Sequence, residues 1–367
     1  MSTLTIPTAL DQLTPEWLTS ALRESGVLKD ASVTEASREV IGVGVGILGE
    51  LARVTLTYDN AEAGAPKTVV AKLPTADPGG RGIGMAFGFY DKESRFYQEL
   101  GRAAGLPAPR AYWSATDNAT GEYFLLMEDL AGLRIGDQVE GCTVDEAKLI
   151  VGALAKFHAA WWETPKLKAL DWIPEINAPV FQFVPLAYMG AIEPFLNLFG
   201  GGLSPHQEKL VRELGAKLPA LQNSLAVGPV TLVHGDLRLD NVFYGSYDNS
   251  SAVTLIDWQI AAKSVGAYDV GYFLSQSIDP ALRKANEEAI LRGYHSQLVA
   301  GGVKEYSWDR CWDDYRRATL YCLVYPVIAG GSVDLANERG VALGKAMTDR
   351  CIAAIDDLNA AEFLKDL

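Results

Sequence analysis

The sequence predicts an α+β protein of two lobes, a small β-rich N-terminal lobe and a larger, mainly helical C-terminal lobe. Three observations carry that expectation. Short β-prone runs separated by turn residues fill positions 33–73 and return at 122–127. After Ala131 the apolar spacing is almost continuously helical. One interruption, 230–275, brings two short strands and much polar punctuation. The lobes are expected to meet near 128–130, giving an N-terminal lobe of residues 1–130 and a C-terminal lobe of 131–367.

In chain order, Thr14-Pro15-Glu16-Trp17 opens a helix. The Thr14 hydroxyl can cap the first turn, and Pro15 suits its first position, where no N–H is needed. Apolar residues then recur at Leu18, Leu22 and Leu28. Residues 38–42, 51–58 and 68–73 read as strands, divided by Asp59-Asn60 and Gly64-Ala65-Pro66. Residues 89–100 return to helical spacing, and 122–127 form another apolar strand. Further helices are predicted over 144–162, 206–222, 282–300, 308–328 and 335–358, with strands at 242–244 and 253–256.

Composition narrows the class. Of 367 residues 49 % are hydrophobic, enough for a sizeable core and too much for a disordered chain. With 32 Lys and Arg against 46 Asp and Glu, the net charge is −14. That balance lacks the basic footprint of a nucleic-acid binder and disfavours an anionic membrane surface. Cys142, Cys311, Cys322 and Cys351 form no Cys-x-x-Cys pair, so neither a zinc ribbon nor a redox motif is supported. Residues 1–11 lack the features of a signal peptide. The longest uncharged stretches, 176–192 and 318–333, are short for a membrane span and broken by Pro179, Pro185 and Pro326. A soluble, cytoplasmic protein is expected, monomer or homodimer, with no nucleic-acid partner and no membrane insertion.

Gly44-Val45-Gly46-Ile47-Leu48-Gly49 fits Gly-x-Gly-x-x-Gly. A dinucleotide-binding loop would run into a helix. Here Val54, Leu56 and Tyr58 alternate with Arg53, Thr55 and Thr57, so the loop joins two strands. Main-chain N–H groups in such a hairpin can approach triphosphate oxygens, because no Cβ intervenes. A plain glycine-rich turn has the same pattern. Val69-Val70-Ala71-Lys72 ends an apolar strand on a charge, which needs a partner if buried. Glu93 lies 21 residues later, on the helix side that carries Phe89, Phe96 and Leu100. Paired with Glu93, the Lys72 ammonium would meet the α- and β-phosphates of a nucleotide; a strand-end lysine in solvent is the alternative.

The most informative stretch is Val233-His234-Gly235-Asp236-Leu237-Arg238-Leu239-Asp240-Asn241. Asp236 can accept the proton of an attacking hydroxyl. Asn241, five residues on, can ligate Mg²⁺ through its amide oxygen. The next strand delivers Leu255-Ile256-Asp257-Trp258, whose carboxylate can bridge Mg²⁺ to phosphates. Hard cations prefer oxygen, so Asp plus Asn suits Mg²⁺ rather than zinc. His234 reads as a residue packed beneath the loop and bonded to its backbone.

These residues match a family. His234-Gly235-Asp236 with Asn241, followed by Ile256-Asp257-Trp258, resembles the signature of aminoglycoside phosphotransferases and choline kinases, the small-molecule branch of the protein-kinase-like fold. Within that branch, Glu93-Ser94-Arg95-Phe96-Tyr97, Leu126-Met127-Glu128-Asp129-Leu130 and Leu154-Ala155-Lys156-Phe157-His158-Ala159-Ala160-Trp161-Trp162 are similar to the ecdysteroid-kinase-like and CHK-kinase-like group. The resemblance implies a bilobal protein-kinase-like fold that uses ATP and Mg²⁺. It implies that Asp236 is the catalytic base and that Arg238 neutralises the transferring phosphoryl group. It makes Asn241 and Asp257 the metal ligands, and Lys72 and Glu93 the nucleotide-positioning pair. Gly44, Gly46, Ile47, Leu48 and Gly49 would cover the phosphates, and main-chain groups at Glu128 and Leu130 would read adenine. Asp269, in Gly266-Ala267-Tyr268-Asp269, would brace the catalytic loop or cap a helix.

Only 12 positions separate Asp257 from Asp269, and Trp258 stands where protein kinases carry Phe-Gly. Little room remains for a peptide-docking segment, so the helical lobe must hold the acceptor. Aromatic residues cluster from Trp161 and Trp162 through Phe181, Tyr188, Phe195 and Phe199, with Tyr321 and Tyr325 downstream. Ordinary core and an apolar acceptor site both account for them. Residues 176–207 contain a single acidic side chain, Glu193, which leans away from a polycationic antibiotic. The expected activity is transfer of the ATP γ-phosphate to a hydroxyl of an apolar or amphipathic small molecule, ecdysteroid- or sterol-like or another metabolite. An antibiotic-modifying phosphotransferase of aminoglycoside or macrolide type and a non-catalytic nucleotide-binding pseudokinase are the alternatives.

Overall fold

A computed structural model describes residues 4–42, 49–60, 62–246, 252–332 and 337–367. The chain forms two compact units. The first is Met1–Leu133 with the short segment Leu255–Gln259, and the second is Arg134–Thr254 with Ile260–Leu367.

In the first unit α1 (Pro15–Glu24) begins where its capping signal stands: Thr14 Oγ1 accepts from the Trp17 N–H at 3.3 Å, and Pro15 opens the first turn. An antiparallel sheet follows in the order β1-β2-β3-β5-β4. Its strands are β1 (Val33–Ile41), β2 (Gly49–Tyr58), β3 (Thr68–Pro74), β4 (Ala111–Asp117) and β5 (Glu122–Glu128). The central strands β3 and β5 are buried along almost their whole length, which is why both read as continuous apolar runs. β4 is an edge strand whose second half is polar and half-buried, so it has little signal in the sequence. Between β3 and β4 lie α2 (Pro78–Ala86) and α3 (Phe89–Arg95), the latter continuing into a π-helical turn over Phe96–Leu100. α2 holds four glycines, poor helix formers, yet Asp77 caps it through the Gly80 N–H at 2.6 Å. Gly84 in α2 is required for close approach, since a Cβ there would stand 2.4 Å from the Tyr90 ring. The hydrophobic centre of this unit joins α1 to the sheet: Trp17 meets Trp113 and Phe124 edge-on, each at 5.2 Å between centroids.

The second unit is mainly helical. Its strands are short: β6 (Arg134–Ile135) pairs with β8 (Val242–Tyr244), β7 (Thr231–Val233) pairs with β10 (Ala262–Ser264), and β9 (Val253–Leu255) leads into the segment that belongs to the first unit. The helices are α4 (Val144–Trp161), α5 (Pro165–Ala169), α6 (Phe183–Phe199), α7 (Pro205–Ser224), α8 (Ala267–Ser277), α9 (Pro280–Ala300), α10 (Trp308–Tyr321), α11 (Val324–Gly330) and α12 (Glu338–Asp357). α8 is buried over all its residues and packs against α10 and α12, so it carries no amphipathic stripe for the sequence to display. The single helix expected over 308–328 is two, α10 and α11. Pro326 falls in the first turn of α11, where its missing N–H leaves no bond unmade. Pro179–Gly202 is the one helical segment among the described residues long and apolar enough to cross a membrane, with a mean hydropathy of 1.2. It includes α6, whose Tyr188 and Phe195 are fully buried and which packs on α7 and α11. The sequence predicts no helix over 183–199, because Pro185 and Pro194 interrupt its pattern.

Trp17→Ala empties the joint between α1 and the sheet. It is expected to lower the unfolding free energy of the first unit by about 3–5 kcal/mol in a urea titration. A loss below about 1 kcal/mol would contradict this packing account.

Candidate active site

Two clusters of polar side chains stand out, one in each unit. In the first unit β3 delivers Lys72 and α3 delivers Glu93, 7 % and 1 % exposed. Lys72 Nζ donates to Glu93 Oε1 at 2.8 Å and to Asp257 Oδ1 at 3.3 Å. Burial disfavours the Lys72 ammonium, but the Asp257 and Glu93 carboxylates outweigh it, so Lys72 is held above its ordinary value and stays charged. Burial likewise pushes Glu93 up toward its neutral form. Three donors oppose that push: Lys72, the Tyr123 hydroxyl at 2.8 Å and Gln259 Nε2 at 2.9 Å. Asp257 adopts φ +66°, in the left-handed region that non-glycine residues seldom occupy. Next to it the buried Trp258 ring stacks on Phe96, 4.0 Å between centroids and 8° from parallel.

Gly49 is the one member of the glycine loop within the described residues. A Cβ at this position would lie 3.1 Å from Leu73 O and 3.2 Å from Lys72 Cε, so the glycine keeps space beside the lysine. Gly44, Gly46, Ile47 and Leu48 lie outside the described residues. At the end of β5, Glu128 uses its carboxylate to accept from Arg102 Nη2 at 2.6 Å and from the Arg110 N–H at 2.9 Å. Its own N–H donates to Arg110 O at 2.8 Å. Leu130 is buried, and its carbonyl accepts from the Leu133 N–H at 2.8 Å.

In the second unit the loop after β7 is pinned from beneath by Asp269, which is fully buried in the first turn of α8. Asp269 Oδ2 accepts the His234 N–H at 2.7 Å, and Oδ1 accepts the Gly235 N–H at 3.0 Å. The helix cap is Gly266, so Asp269 serves the loop rather than its own helix. His158 Nε2 stands 3.2 Å from Asp269 Oδ2, and its other nitrogen 2.8 Å from Tyr294 Oη. Gly235 has φ +87°, and a Cβ there would sit 2.3 Å from Ile260 O. Only glycine can make this turn. His234 is buried, and its Nδ1 accepts the Asp236 N–H at 3.2 Å.

The turn presents Asp236 with both carboxylate oxygens engaged. Oδ1 accepts from the Tyr272 hydroxyl at 2.9 Å, and Oδ2 lies 3.3 Å from Asn241 Nδ2. The same Asn241 nitrogen donates to Asp236 O at 2.9 Å. Tyr272 stacks on Tyr325 at 4.0 Å, and Tyr325 donates its hydroxyl to the Gly235 carbonyl. Burial pushes the Tyr272 phenol well above its usual range, so it remains a neutral donor. Arg238 Nη1 donates to Asp240 Oδ2 at 3.2 Å, and its Nε stands 3.8 Å from Asp236 Oδ2. Arg339 Nη2 reaches the other Asp240 oxygen at 3.3 Å.

Among the described residues no group of three or more His, Cys, Asp or Glu could hold a metal. Mg²⁺ does not require one: it is commonly bound by one or two protein oxygens, with waters and phosphates completing the shell. Asp257 keeps its carboxylate partly exposed, and Asn241 spends its amide nitrogen on Asp236, which leaves the amide oxygen for a cation. Each residue by itself offers a hard oxygen of the kind that Mg²⁺ prefers.

Among the participants with no role assigned from the sequence are Tyr123, His158, Gln259 and Tyr272. Tyr272 stands three residues after Asp269 on α8, a spacing that puts both on one helix face, and that was the available signal. Gln259 is two residues past Asp257, and nothing in its local pattern distinguishes it from a loop amide.

The phosphotransferase enzyme family model matches residues 86–307, more than half of the chain, and the chain belongs to that family. Solved structures share the fold. The GDP complex of aminoglycoside 2′-phosphotransferase-IIIa aligns with a TM-score of 0.51 at 15 % identity, covering 93 % of this chain and 99 % of that one. A Ralstonia eutropha structure assigned as an aminoglycoside phosphotransferase gives 0.51 at 15 % identity, covering 93 % and 97 %. Choline kinase from Cryptosporidium parvum gives 0.50 at 10 % identity, covering 90 % and 89 %. No curated protein matches the sequence at a significant level. Family and fold make the chain a phosphotransferase of the kinase-like α+β class, in agreement with the motifs around Asp236 and Asp257.

Gly235→Ala forces a Cβ into Ile260 O and places alanine at a positive φ. It is expected to destabilise the second unit by roughly 2 kcal/mol or more in chemical denaturation, since both effects fall among the severe classes of point mutation. An unchanged midpoint would contradict the geometry assigned to this turn.

Proposed function

We propose that this protein is a Mg²⁺-dependent kinase that transfers the γ-phosphate of ATP to a hydroxyl of an apolar or amphipathic small molecule. The observation that carries the proposal is the buried Lys72 ammonium held between Glu93 and Asp257. A lysine so buried and so paired keeps its charge and a fixed position, which is what nucleotide phosphates need from it.

Phosphoryl transfer depends mainly on positioning and charge neutralisation. Lys72 addresses the α- and β-phosphates, with Glu93 fixing its direction. Asp257 and Asn241 would hold Mg²⁺, which supplies neutralisation of phosphate charge when bound. The adenine contacts fall to the Glu128 carbonyl and the Leu130 N–H, because the Glu128 N–H is donated to Arg110 O. Gly49 and the rest of the glycine loop would cover the phosphates.

Asp236 accepts the proton of the acceptor hydroxyl as its oxygen attacks the γ-phosphorus. Tyr272 and Asn241 each hold one of its oxygens, so the carboxylate faces the acceptor in one orientation. Arg238 lies close enough to Asp236 to offset the charge of the moving phosphoryl group, and Asp240 holds the guanidinium in place. The acidic side chain expected to matter for a polycationic acceptor, Glu193, is exposed and paired with Arg212. That favours an uncharged alcohol of sterol- or ecdysteroid-like or other amphipathic character over an aminoglycoside. All five groups that a pseudokinase would be expected to lose are present: Lys72, Glu93, Asp236, Asn241 and Asp257.

The test is a mass-spectrometric screen of sterols, amino alcohols, sugars and antibiotics for ATP-dependent gain of a phosphate. Asp236→Asn is expected to slow transfer by about 10²–10⁴-fold, the usual contribution of a positioned base, while the fold is retained. Asp257→Ala is expected to fall to background. Full activity of either purified variant would overturn the assignment, and turnover confined to aminoglycosides would move the acceptor to the antibiotic class.

A further inference from the structure

We infer that Gln259 is a positioning residue whose side-chain amide fastens the Asp257 segment to Glu93 and so holds the metal-binding carboxylate beside Lys72 before a nucleotide arrives. The inference rests on the proposed function for the role of Asp257, and it adds a residue and a purpose that neither the motifs nor the family assigns.

The contacts close into a ring. Lys72 Nζ joins Asp257 Oδ1 to Glu93 Oε1. Glu93 Oε2, the second oxygen of the same carboxylate, accepts from Gln259 Nε2 at 2.9 Å. Two peptide units of backbone then return from Gln259 to Asp257. The link between Gln259 and Glu93 is shielded from water, with Gln259 5 % exposed and Glu93 1 %. An amide is the group this position requires. A carboxylate there would face the Glu93 carboxylate, and the Gln259 amide itself must turn its nitrogen rather than its oxygen toward Glu93.

The ring answers a specific need. Asp257 sits at φ +66°, a conformation that persists only where the surroundings impose it. On one side of Asp257 the chain leaves β9. On the other, Trp258 is clamped by its stack on Phe96 and Gln259 by its bond to Glu93. With both following residues tied to α3 and its π-helical extension, the Asp257 carboxylate is aimed at Lys72 without help from a ligand. Freed from Gln259, the segment loses one of the ties that, with the Trp258 stack and the Lys72 bond, keep this strained turn.

Tyr123 provides the control. It donates to the same Glu93 oxygen at 2.8 Å, yet it belongs to β5 and has no covalent path of a few residues to Asp257. Removing either donor costs Glu93 one hydrogen bond. Only removal of Gln259 also unfastens the metal-binding segment.

The experiment is calorimetric titration of the full-length protein with ADP, or GDP should ADP not bind, in the presence and absence of Mg²⁺. The readout is the gain in affinity that Mg²⁺ confers. Gln259→Met, similar in size but without a donor, is expected to reduce that gain roughly tenfold or more, the usual consequence of removing a group that orients a metal ligand. Tyr123→Phe is expected to shift both affinities by the same factor and leave the gain at the wild-type value. A wild-type gain in Gln259→Met, or an equal loss in Tyr123→Phe, overturns the inference. Should Gln259→Met fail to fold, Gln259→Asn, one methylene too short to reach Glu93, carries the same comparison. Failure of the wild-type protein to bind either nucleotide overturns the proposed function instead, and the inference with it.

Discussion

The structure of the first unit depends on one buried charge. The Lys72 ammonium is almost wholly removed from water, and two carboxylates from distant parts of the chain must meet it. Breaking such a pair by deleting one partner typically costs about 3–5 kcal/mol, because the remaining charge is left uncompensated. That penalty makes β3, α3 and the Asp257 segment interdependent. It also explains why Leu255–Gln259 belongs to the first unit although the chain on either side of it belongs to the second. Glu93, Tyr123 and Gln259 complete the arrangement, and Trp258 on Phe96 gives it an apolar floor.

The second unit solves a similar problem with a different charge. Asp269 is fully buried and accepts from two loop N–H groups, with a histidine nitrogen 3.2 Å away. Those bonds fix the backbone of His234 and Gly235, and the fixed backbone aims Asp236. A tyrosine from the same helix, Tyr272, then reaches the Asp236 carboxylate. In each unit a buried acid thus organises a segment whose own carboxylate, Asp257 or Asp236, remains partly exposed.

Much of this was legible in the sequence, and the part that was not has identifiable causes. The spacing around His234-Gly235-Asp236, Asn241 and Asp257 is local, so the pattern displays it directly. The pairing of Lys72 with Glu93 followed from a charge ending an apolar strand and a carboxylate on the packed side of the next helix. Gln259 and Tyr272 act across the fold, and no local period marks them. α8 and α6 were hard to see for opposite reasons, the first because it is buried all round and the second because prolines break its pattern. α2 is a helix despite its glycines, since the approach of Tyr90 to Gly84 decides the matter. The two-strand frame of the glycine loop was readable from the period-2 alternation of β2, which begins at Gly49.

The predicted α+β kinase-like class stands, and the acidic side chains of the site have their own partners. Glu93, Asp236, Asp257 and Asp269 are engaged with a lysine, a tyrosine and an asparagine, the same lysine, and a loop. The central proposal is that Lys72 and Asp257 of the first unit and Asn241 of the second each engage the metal-bound nucleotide. Hydrogen exchange of the whole protein, followed by mass spectrometry with and without Mg²⁺ and ADP, tests it most directly. The account predicts that the complex slows exchange in the peptides bearing all three residues, and that omission of Mg²⁺ removes the effect at Asp257 and Asn241 first. Slowing confined to other parts of the chain, with these peptides unchanged, would contradict it.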